Sequence, residues 1–346
     1  MNCKKLSTVS VIFIILVLLF STNLSFAKTI TGRLSSSLIL NSPMSRGLEV
    51  FAQYVEKETN GEIKIVIYPN SQLGSEEDSV QQVKSGSLEF AVACVGPVTT
   101  FAKNFMLFDT PFLFDNRLEA WMVCDSPVGQ KVLSSARDGG LVALAYMACG
   151  FRHVTNNNGP INTLEDFKGL KIRTMVAPMH IKNFRLLGAN PTPVPWTELY
   201  LALQQGIVDG QENPVYNIYE HKIYEVQKYL SFTQHIFDSI ILVTNPKWFD
   251  SLTEKQQEII KVGALLGQNY GRFLDEIVVE EMTEKLKDLG MIINDVSKEE
   301  RDRMRKASQP GVKEAIKEKG VDPALMEEFF ATIDQVSKQI EQIGKD

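Results

Sequence analysis

Units of strand, helix and strand recur along the first two thirds of this chain, and no other feature limits its fold as strongly. Residues 63–68 alternate at period two, as a half-buried strand does. Helices are predicted on either side, over residues 44–59 and from the capping residue Ser75 to residue 84. Further strands are predicted at residues 29–34 and 88–93. Strands joined by helical crossovers form parallel sheets covered by helices, so we expect an α/β fold.

The same pattern resumes after residue 152. Short strands are predicted near residues 170–174, 191–194 and 207–210. A helix over residues 196–205 separates the last two strands and is ended by Gly206. Two series of such units indicate two α/β lobes.

The last third of the chain begins with one long helix. Ser251 and Glu254 form a capping-box pattern that opens a helical run to about residue 289. Such a helix would be about 55 Å long, more than one lobe, although its glycines make a kink plausible. Apolar residues recur along it at three- and four-residue steps, a pattern typical of a face that packs on a core: Ile259, Val262, Leu266, Tyr270, Phe273 and Ile277.

The first 27 residues have the pattern of an export signal. Lys4 and Lys5 precede an almost wholly apolar stretch at residues 11–20, and Ser25-Phe26-Ala27 offers a small-x-small cleavage site. The apolar stretch is shorter than the roughly 20 residues of a spanning helix, which disfavours an uncleaved anchor. We therefore expect cleavage after about Ala27 and a periplasmic protein.

Charge and cysteine content exclude several partners. The formal charge of −6 becomes −8 without residues 1–27, which contain two lysines and no acid. A mildly acidic chain without basic runs argues against nucleic acid or anionic lipid as a partner. The three remaining cysteines have neither CxxC spacing nor a histidine at metal-ligand spacing, so no metal and no cofactor is predicted. Cys94 and Cys149 are interpreted as small buried side chains in strands.

Polar side chains at the ends of two predicted strands indicate a binding site. Gly169-Leu170-Lys171-Ile172-Arg173 brings one arginine to a strand end, and Val208-Asp209-Gly210 leads into Gln211-Glu212-Asn213-Pro214. An arginine and an asparagine placed in this way can hold one planar anion from two sides. The four histidines form no HExxH pattern, and the sequence contains neither a GxSxG elbow nor a P-loop. The pattern therefore favours binding over catalysis.

Four segments, in this order and spacing, resemble the solute-binding proteins of tripartite ATP-independent periplasmic (TRAP) transporters. They are Phe151-Arg152, Gly169 to Arg173, Asn190-Pro191-Thr192-Pro193-Val194-Pro195-Trp196 and Gly210-Gln211-Glu212-Asn213-Pro214. Pro69-Asn70-Ser71-Gln72-Leu73-Gly74 and the long helix fit the same family. Members of this family bind four-carbon dicarboxylates, sialic acid or sugar acids. The resemblance covers essentially the whole mature chain.

The resemblance implies a two-lobed periplasmic binding protein fold, with the long helix crossing both lobes and the ligand enclosed between them. It also implies that the chain passes between the lobes more than once, so that each lobe is discontinuous in sequence. The expected lobes are residues 28–150 with about 239–278, and residues 151–238 with about 279–346.

The resemblance also implies which side chains hold the ligand carboxylate. The arginine that matches Arg173 forms a two-pronged salt bridge, as suits a planar guanidinium that stays charged; the alternative is a surface arginine at a strand end. Arg152 matches a second arginine near the carboxylate, with a structural ion pair to a nearby acid as the alternative. Asn213 matches an asparagine that hydrogen-bonds the carboxylate, although a turn residue before a proline would look the same.

Other positions match residues that face the rest of the ligand. Trp196 would offer a flat apolar wall to the C–H face of a sugar, with a core tryptophan as the alternative. Glu76 would accept hydrogen bonds from ligand hydroxyls, with a helix N-terminal acid as the alternative. Ser35-Ser36-Ser37 lies where the family places polar contacts. Cys94 stands where sialic-acid binders carry a glutamate, which argues against sialic acid.

The implied function is capture of a small organic acid anion and its delivery to the small and large membrane subunits of a TRAP transporter. A uronic or aldonic sugar acid is the first choice of ligand, and a four-carbon dicarboxylate is the second. A sensor component that presents its ligand to a membrane receptor is the alternative within the binding class. A secreted enzyme is least favoured, because the sequence supplies no recognisable nucleophile or activated water.

Overall fold

The computed structural model describes residues 29–40 and 42–343, so the predicted export signal and its cleavage after Ala27 lie outside the described residues. Within this part of the chain, nine strands form a single sheet. The strands are β1 Ile30–Ser35, β2 Ile63–Tyr68, β3 Phe90–Cys94, β4 Val142–Asn156, β5 Lys171–Thr174, β6 Asn190–Pro193, β7 Gly210–Asn213, β8 Tyr229–Thr244 and β9 Ile292–Asp295.

Twelve α-helices accompany these strands in the described residues, and none of the twelve combines the length and the apolar content of a bilayer-crossing segment. They are α1 Pro43–Glu58, α2 Glu76–Ser85, α3 Val95–Thr99, α4 Arg117–Asp125, α5 Pro127–Ser134, α6 Pro178–Leu186, α7 Leu199–Gln204, α8 Val215–Glu220, α9 Pro246–Asp250, α10 Glu254–Asp288, α11 Lys298–Glu318 and α12 Pro323–Ile343. A short 3₁₀ helix at Trp196–Glu198 leads into α7.

The sheet has two parallel halves joined by two long antiparallel strands. Its order is β2-β1-β3-β8-β4-β7-β5-β6, and β9 also pairs with β8. β1 lies parallel to β2 and β3, and β5 lies parallel to β6 and β7. β8 runs antiparallel to both β3 and β4. The predicted α/β class is therefore confirmed.

β4 and β8 each belong to both halves of the sheet. β8 pairs with β3 over residues 240–244 and with β9 over residues 229–232. β4 pairs with β8 along most of its length, and its end pairs with β7. Their register shifts between Met147 and Gly150 and again between Arg152 and Val154, as at β-bulges. The halves are thus connected through the middle of these two strands.

β7 begins later than predicted. The strand expected near residues 207–210 is observed at Gly210–Asn213, so Gln211, Glu212 and Asn213 lie within the strand rather than in a turn after it. All three side chains are buried. Buried polar groups need partners, and side chains from neighbouring elements supply them here.

Helix α10 is the predicted long helix, 35 residues without a break in its helical assignment. It packs along α1 through small side chains, and the two backbones approach closely. A Cβ atom added at Gly267 would lie 2.4 Å from the carbonyl oxygen of Gly47, and one added at Gly47 would lie 2.5 Å from that of Gly267. Only glycine permits such an approach at both positions.

The prediction that the apolar face of α10 packs on a core is wrong for most of the length of the helix. Leu266, Tyr270, Phe273 and Ile277 are 40%, 43%, 61% and 55% exposed. The face that α10 buries contains small and polar residues instead, among them Gly263, Ala264, Gly267, Gln268 and Arg272. The need for close contact with α1 therefore decided the orientation of the helix, against its apolar periodicity.

The last two helices pack on different halves of the molecule. α11 lies against α6, whereas α12 lies against α4 and α5, and Phe329 of α12 meets Phe108 with ring centroids 4.9 Å apart. The lobe boundaries inferred from the sequence stay a prediction. These contacts would place residues 323–343 with the first lobe rather than with the second.

The cysteines predicted in strands are in strands. Cys94 ends β3 and is buried, as expected for a small apolar side chain. Cys149 lies in β4, although its side chain is outside the description.

Substitution of two glycines of α10 tests the close packing against α1. Gly267→Ala is expected to lower the free energy of unfolding by about 1–3 kcal/mol, because its Cβ meets backbone that cannot move aside. Gly271→Ala is the matched control: its Cβ would lie 3.9 Å from the nearest atom, an ordinary contact. It should stabilise the helix by up to about 1 kcal/mol. Urea unfolding of both variants measures the difference, and equal effects would contradict the packing.

Candidate functional site

A narrow cavity lies between the two halves, where β1, β3, β5 and β7 end. Carboxyl ends of strands are where open α/β sheets bind their ligands. The lining residues are Ser37, Leu38, Glu76, Glu77, Cys94 and Pro97 on one side, Arg173, Met175, Trp196, Asn213, Asn217 and His221 on the other, and Ile240 of β8. The cavity therefore brings together side chains that are far apart in sequence.

Four of the five predicted site residues line this cavity. They are Glu76, Arg173, Trp196 and Asn213, and Glu76 faces the other three from the opposite half. Arg152 is the exception, since it is fully buried behind the cavity wall. Ser37, from the serine run after β1, also lines the cavity. The ligand contacts of these residues remain a prediction.

Arg173 is a buried cation that forms no ion pair within the described part of the chain. It is 1% exposed, and its Nε donates to the carbonyl oxygen of Val194 at 2.8 Å. Its Nη1 has no hydrogen-bond partner among the described residues. Burial lowers the pKa of the Arg173 guanidinium to about 10, with Glu212 opposing this shift, so the group remains charged at neutral pH. A buried charge of this kind calls for an anion in the cavity.

Asn213 is held in place by amide side chains on two elements. Its Oδ1 accepts a hydrogen bond of 2.9 Å from Asn217 Nδ2, and its Nδ2 donates to Gln211 Oε1. Gln211 in turn donates to Thr155 Oγ1 on β4 at 2.9 Å. An Asn side chain has two N–H donors, so one Nδ2 hydrogen is left for a cavity ligand next to Arg173.

Glu76 stands on the other side of the cavity as the first residue of α2. It is 8% exposed; its Oε1 accepts from Ser37 Oγ at 2.7 Å and its Oε2 accepts from the Cys94 amide at 3.0 Å. Burial raises the pKa of the Glu76 carboxyl to about 7, although both hydrogen bonds oppose the shift. Glu76 can therefore accept a hydrogen bond from a ligand when ionised and donate one when protonated.

Trp196 and His221 form an aromatic corner of the cavity. Their ring centroids are 4.7 Å apart and the ring planes are nearly perpendicular, at 89°. Burial lowers the pKa of His221 to about 4, so its ring is neutral at physiological pH. The same two residues border a second cavity of about 340 Å³ that also includes Ser37, Asn70 and Tyr200. The aromatic corner thus separates the space near Arg173 from a wider space beside it.

Arg152 belongs to a buried ion cluster. Its Nη1 donates to Asp238 Oδ2 at 2.7 Å, and its Nε and Nη2 donate to the carboxylate of Glu212. His235 Nε2 lies 3.1 Å from the same carboxylate. Burial opposes the charge on Glu212, but Arg152 outweighs it and holds the pKa of Glu212 well below its usual range. The geometry favours the structural ion pair that the sequence had left open for Arg152.

His180 extends the cluster to helix α6. Its Nε2 lies 3.2 Å from Asp109 Oδ1. Burial lowers the pKa of His180, but the charge of Asp109 outweighs burial, and the pKa is raised to about 9. The cluster therefore ties together β4, β7, β8, α6 and the segment at Asp109. Because Glu212 immediately precedes Asn213, the cluster also positions the end of β7 at the cavity.

The sequence analysis missed two cavity residues, Asn217 of α8 and His221 at the carboxyl-terminal cap of the same helix. They follow Asn213 by four and eight residues, across Pro214. A helix predicted to begin after Pro214 would have placed both on one face, close to Asn213. That spacing was the available signal.

Comparison with known proteins agrees with this architecture. Residues 34–319 match the family model described as bacterial extracellular solute-binding protein, family 7. The chain belongs to this family. The TRAP-type solute-binding protein predicted from the sequence is therefore confirmed, and so are its extracytoplasmic location and its two-lobed fold.

Relatives with named ligands include sugar-acid binders and a dicarboxylate binder. The 2,3-diketo-L-gulonate-binding periplasmic protein of Escherichia coli is 33% identical over 249 residues, 72% of this chain and 76% of its own. The structure of a sugar acid binding protein of Advenella mimigardefordensis in complex with galactonate is 33% identical with a TM-score of 0.84, and the match covers 89% of this chain and 99% of its own. A TRAP solute-binding protein of Sulfurospirillum deleyianum with bound succinate is 28% identical with a TM-score of 0.80, covering 87% and 98%.

The raised pKa of Glu76 predicts a pH dependence of stability. Folded Glu76 keeps its proton up to a pH of about 7, whereas an unfolded chain releases it near a pH of about 4.3. Ionisation of Glu76 therefore disfavours the folded state increasingly as pH rises through this window. Relative to wild type, Glu76→Gln should gain up to about 3 kcal/mol of stability between pH 4 and pH 8. Urea unfolding without ligand measures this, and a pH-independent difference would contradict it.

Proposed function

We propose that this protein captures a uronic or aldonic sugar acid between its two lobes and delivers it to the membrane subunits of a TRAP transporter. Arg173 and Asn213 bind the carboxylate, Glu76 accepts hydrogen bonds from ligand hydroxyls, and Trp196 covers an apolar face of the carbon chain. Arg152 acts from behind the wall by positioning Glu212 and β7.

The observation that carries this proposal is the unpaired guanidinium of Arg173. A buried cation without a counter-ion costs several kcal/mol, because the interior does not replace its hydration. A ligand carboxylate beside Arg173 Nη1 would remove this cost and gain a charge-assisted hydrogen bond. Asn213 supplies a second donor from a neighbouring strand end, which fixes the plane of the carboxylate.

The charge distribution of the cavity favours a monocarboxylate with hydroxyl groups over a dicarboxylate. Arg173 and neutral His221 are the only basic side chains among the described lining residues. The opposite side presents Glu76 and Glu77, which would repel a second carboxylate and attract hydroxyl donors. The named sugar-acid relatives support this choice, and the succinate-bound neighbour keeps a four-carbon dicarboxylate as the second candidate.

Ligand binding favours closure of the lobes, because the binding groups lie on both sides of the cleft. Tyr216 Oη donates to Ser42 Oγ at 2.7 Å across the cleft, and a Cβ at Gly96 would lie 2.7 Å from Ala177 Cβ. A ligand held by Arg173 on one side and Glu76 on the other interacts fully only when the lobes are together. It therefore shifts the population towards the closed form, which is the form that the membrane subunits would receive.

Binding rather than catalysis is part of the proposal. Glu76, Asn213 and Asn217 are hydrogen-bonded to structural neighbours, and His221 is the one histidine among the described lining residues. The ring of His221 is neutral and perpendicular to Trp196, and no acid among the described residues pairs with it to orient it as a general base. The family and its structural neighbours are binding proteins as well.

Replacement of Arg173 separates binding from folding. Arg173→Met keeps most of the side-chain volume and removes the charge, so affinity for the acid should fall about 30-fold or more. Stability without ligand should be maintained or rise, because an unpaired buried charge is gone. Arg173→Lys should also weaken binding, since a point charge cannot replace the planar fork. Exposed Arg185→Met is the matched control, measured like the others by calorimetry and by urea unfolding.

Retained affinity in Arg173→Met would overturn the carboxylate site. The ligand itself should be found by a thermal-shift screen of uronates, aldonates, four-carbon dicarboxylates, sialic acid and 2-oxo acids. A ligand at 100 times its Kd adds about 2.7 kcal/mol of stability, which is readily detected.

Trp196→Ala distinguishes the two ligand candidates. Loss of the indole should weaken a six-carbon sugar acid by about 1–3 kcal/mol, because the apolar side of its carbon chain loses a wall. Succinate has little chain to cover, so the same variant should bind it almost as wild type does. A parallel loss for both ligands would assign Trp196 to the structure of the cleft rather than to sugar recognition.

A further inference from the structure

Large apolar side chains are concentrated on one face of α10. Leu265, Leu266, Tyr270, Phe273 and Ile277 are 52%, 40%, 43%, 61% and 55% exposed, and we call these five residues the α10 stripe. They account for five of the thirteen exposed large apolar residues in the described part of the chain. A contiguous apolar patch of this kind marks an interaction surface more often than a chance arrangement.

The helix cannot rotate to bury the stripe within its own chain. Its opposite face is fixed by the glycine contact with α1 and by two ion pairs with α4. Arg272 donates to the Asp125 carboxylate at 2.7 Å and its guanidinium lies 4.1 Å from the centre of the Trp121 ring. Asp275 is buried and pairs with Arg117. The stripe therefore faces either water or another molecule.

We propose that the α10 stripe binds the same stripe of a second copy of this chain, with the two helices antiparallel. Two pairs of apolar residues, one of which includes Val262 just before the stripe, are spaced symmetrically about the midpoint between Asn269 and Tyr270. Val262 and Ile277 are equidistant from that midpoint, and so are Leu266 and Phe273. An isologous two-fold contact requires such a surface, because each residue meets its mirror position on the partner.

The charges at the two ends of the helix fit the antiparallel direction. Lys255 and Glu284 are also equidistant from the midpoint, so the second copy's Lys255 lies opposite Glu284 and within a turn of Glu280. Lys255 and Glu280 are exposed, and neither has an ion pair in the described residues, whereas Glu284 already pairs with Lys287 at 2.6 Å. Parallel helices would instead place lysine beside lysine and glutamate beside glutamate. Opposite charges thus select the direction.

One like-charge pair opposes the arrangement weakly. Glu258 falls opposite Glu281, but each has its own lysine: Lys261 lies 3.8 Å from Glu258, and Lys285 lies 2.6 Å from Glu281. Contact along several helical turns on both copies buries on the order of 1,000 Å², which is where specific interfaces begin. The expected product is a reversible dimer rather than a permanent one.

The first test is the oligomeric state of the purified mature chain. Sedimentation over a range of concentrations should show a monomer–dimer equilibrium. Phe273→Glu should raise the dimer Kd at least tenfold, because a charge replaces an apolar contact near the two-fold axis. Leu201→Glu is the matched control, an apolar residue of α7 that is 53% exposed and outside the stripe; it should leave the equilibrium unchanged. A monomer at every soluble concentration overturns the proposal.

Cross-linking tests the direction of the helices. Asn269→Cys lies beside the two-fold axis and should form a disulfide between copies, since its Cα atoms approach within about 7 Å. Leu266→Cys should not cross-link with itself but should do so when mixed with Phe273→Cys. Self-cross-linking of Leu266→Cys would show parallel helices and overturn the proposal. The proposal would also be overturned if the wild-type protein is monomeric and its Phe273→Glu variant no longer supports uptake. That result would assign the stripe to contact with the membrane subunits.

Discussion

The antiparallel pairing of β4 with β8 is the constraint on which the rest of the molecule depends. Each strand has one end in the β1–β3 half and the other in the β5–β7 half, so the two halves share one sheet. The buried ion cluster lies on the second part of this pair, with Arg152 on β4, Asp238 on β8 and Glu212 on β7. Complementary charges there fix three strands relative to one another just behind the cavity.

Arg152 and Arg173 show how the same side chain takes two roles in one interior. Both guanidinium groups are almost completely buried. Arg152 is neutralised by Glu212 and Asp238, whereas Arg173 has a backbone oxygen and an unpartnered Nη1. Since burial disfavours any charge, the difference in pairing separates a structural cation from one that awaits an anion. Sequence spacing alone could not draw this distinction.

The sequence was sufficient to predict those features that depend on residues close together in the chain. β2 follows from its period-two alternation. The long helix was predicted with nearly the correct bounds, although its capping box is formed by Thr253 and Gln256 rather than by Ser251 and Glu254. Arg173 and Asn213 were predicted from their places at the ends of short strands. It was insufficient where partners are distant. Asp238 is 86 residues from Arg152, so the ion pair of Arg152 stayed one of two alternatives. The predicted orientation of α10 was wrong for a related reason, because Gly47 on another helix decides which face of α10 is buried.

Helix α10 is attached to both halves, and this limits how the lobes can move. Its first turns pack on α1, while the chain that leaves its end forms β9 on the far part of β8. Opening of the cleft about β4 and β8 must therefore be accompanied by bending of α10 or by movement of its carboxyl end. A second copy on the α10 stripe would hold the middle of the helix and leave both ends to follow the lobes. Association through this helix is thus compatible with capture and release of a ligand by each copy.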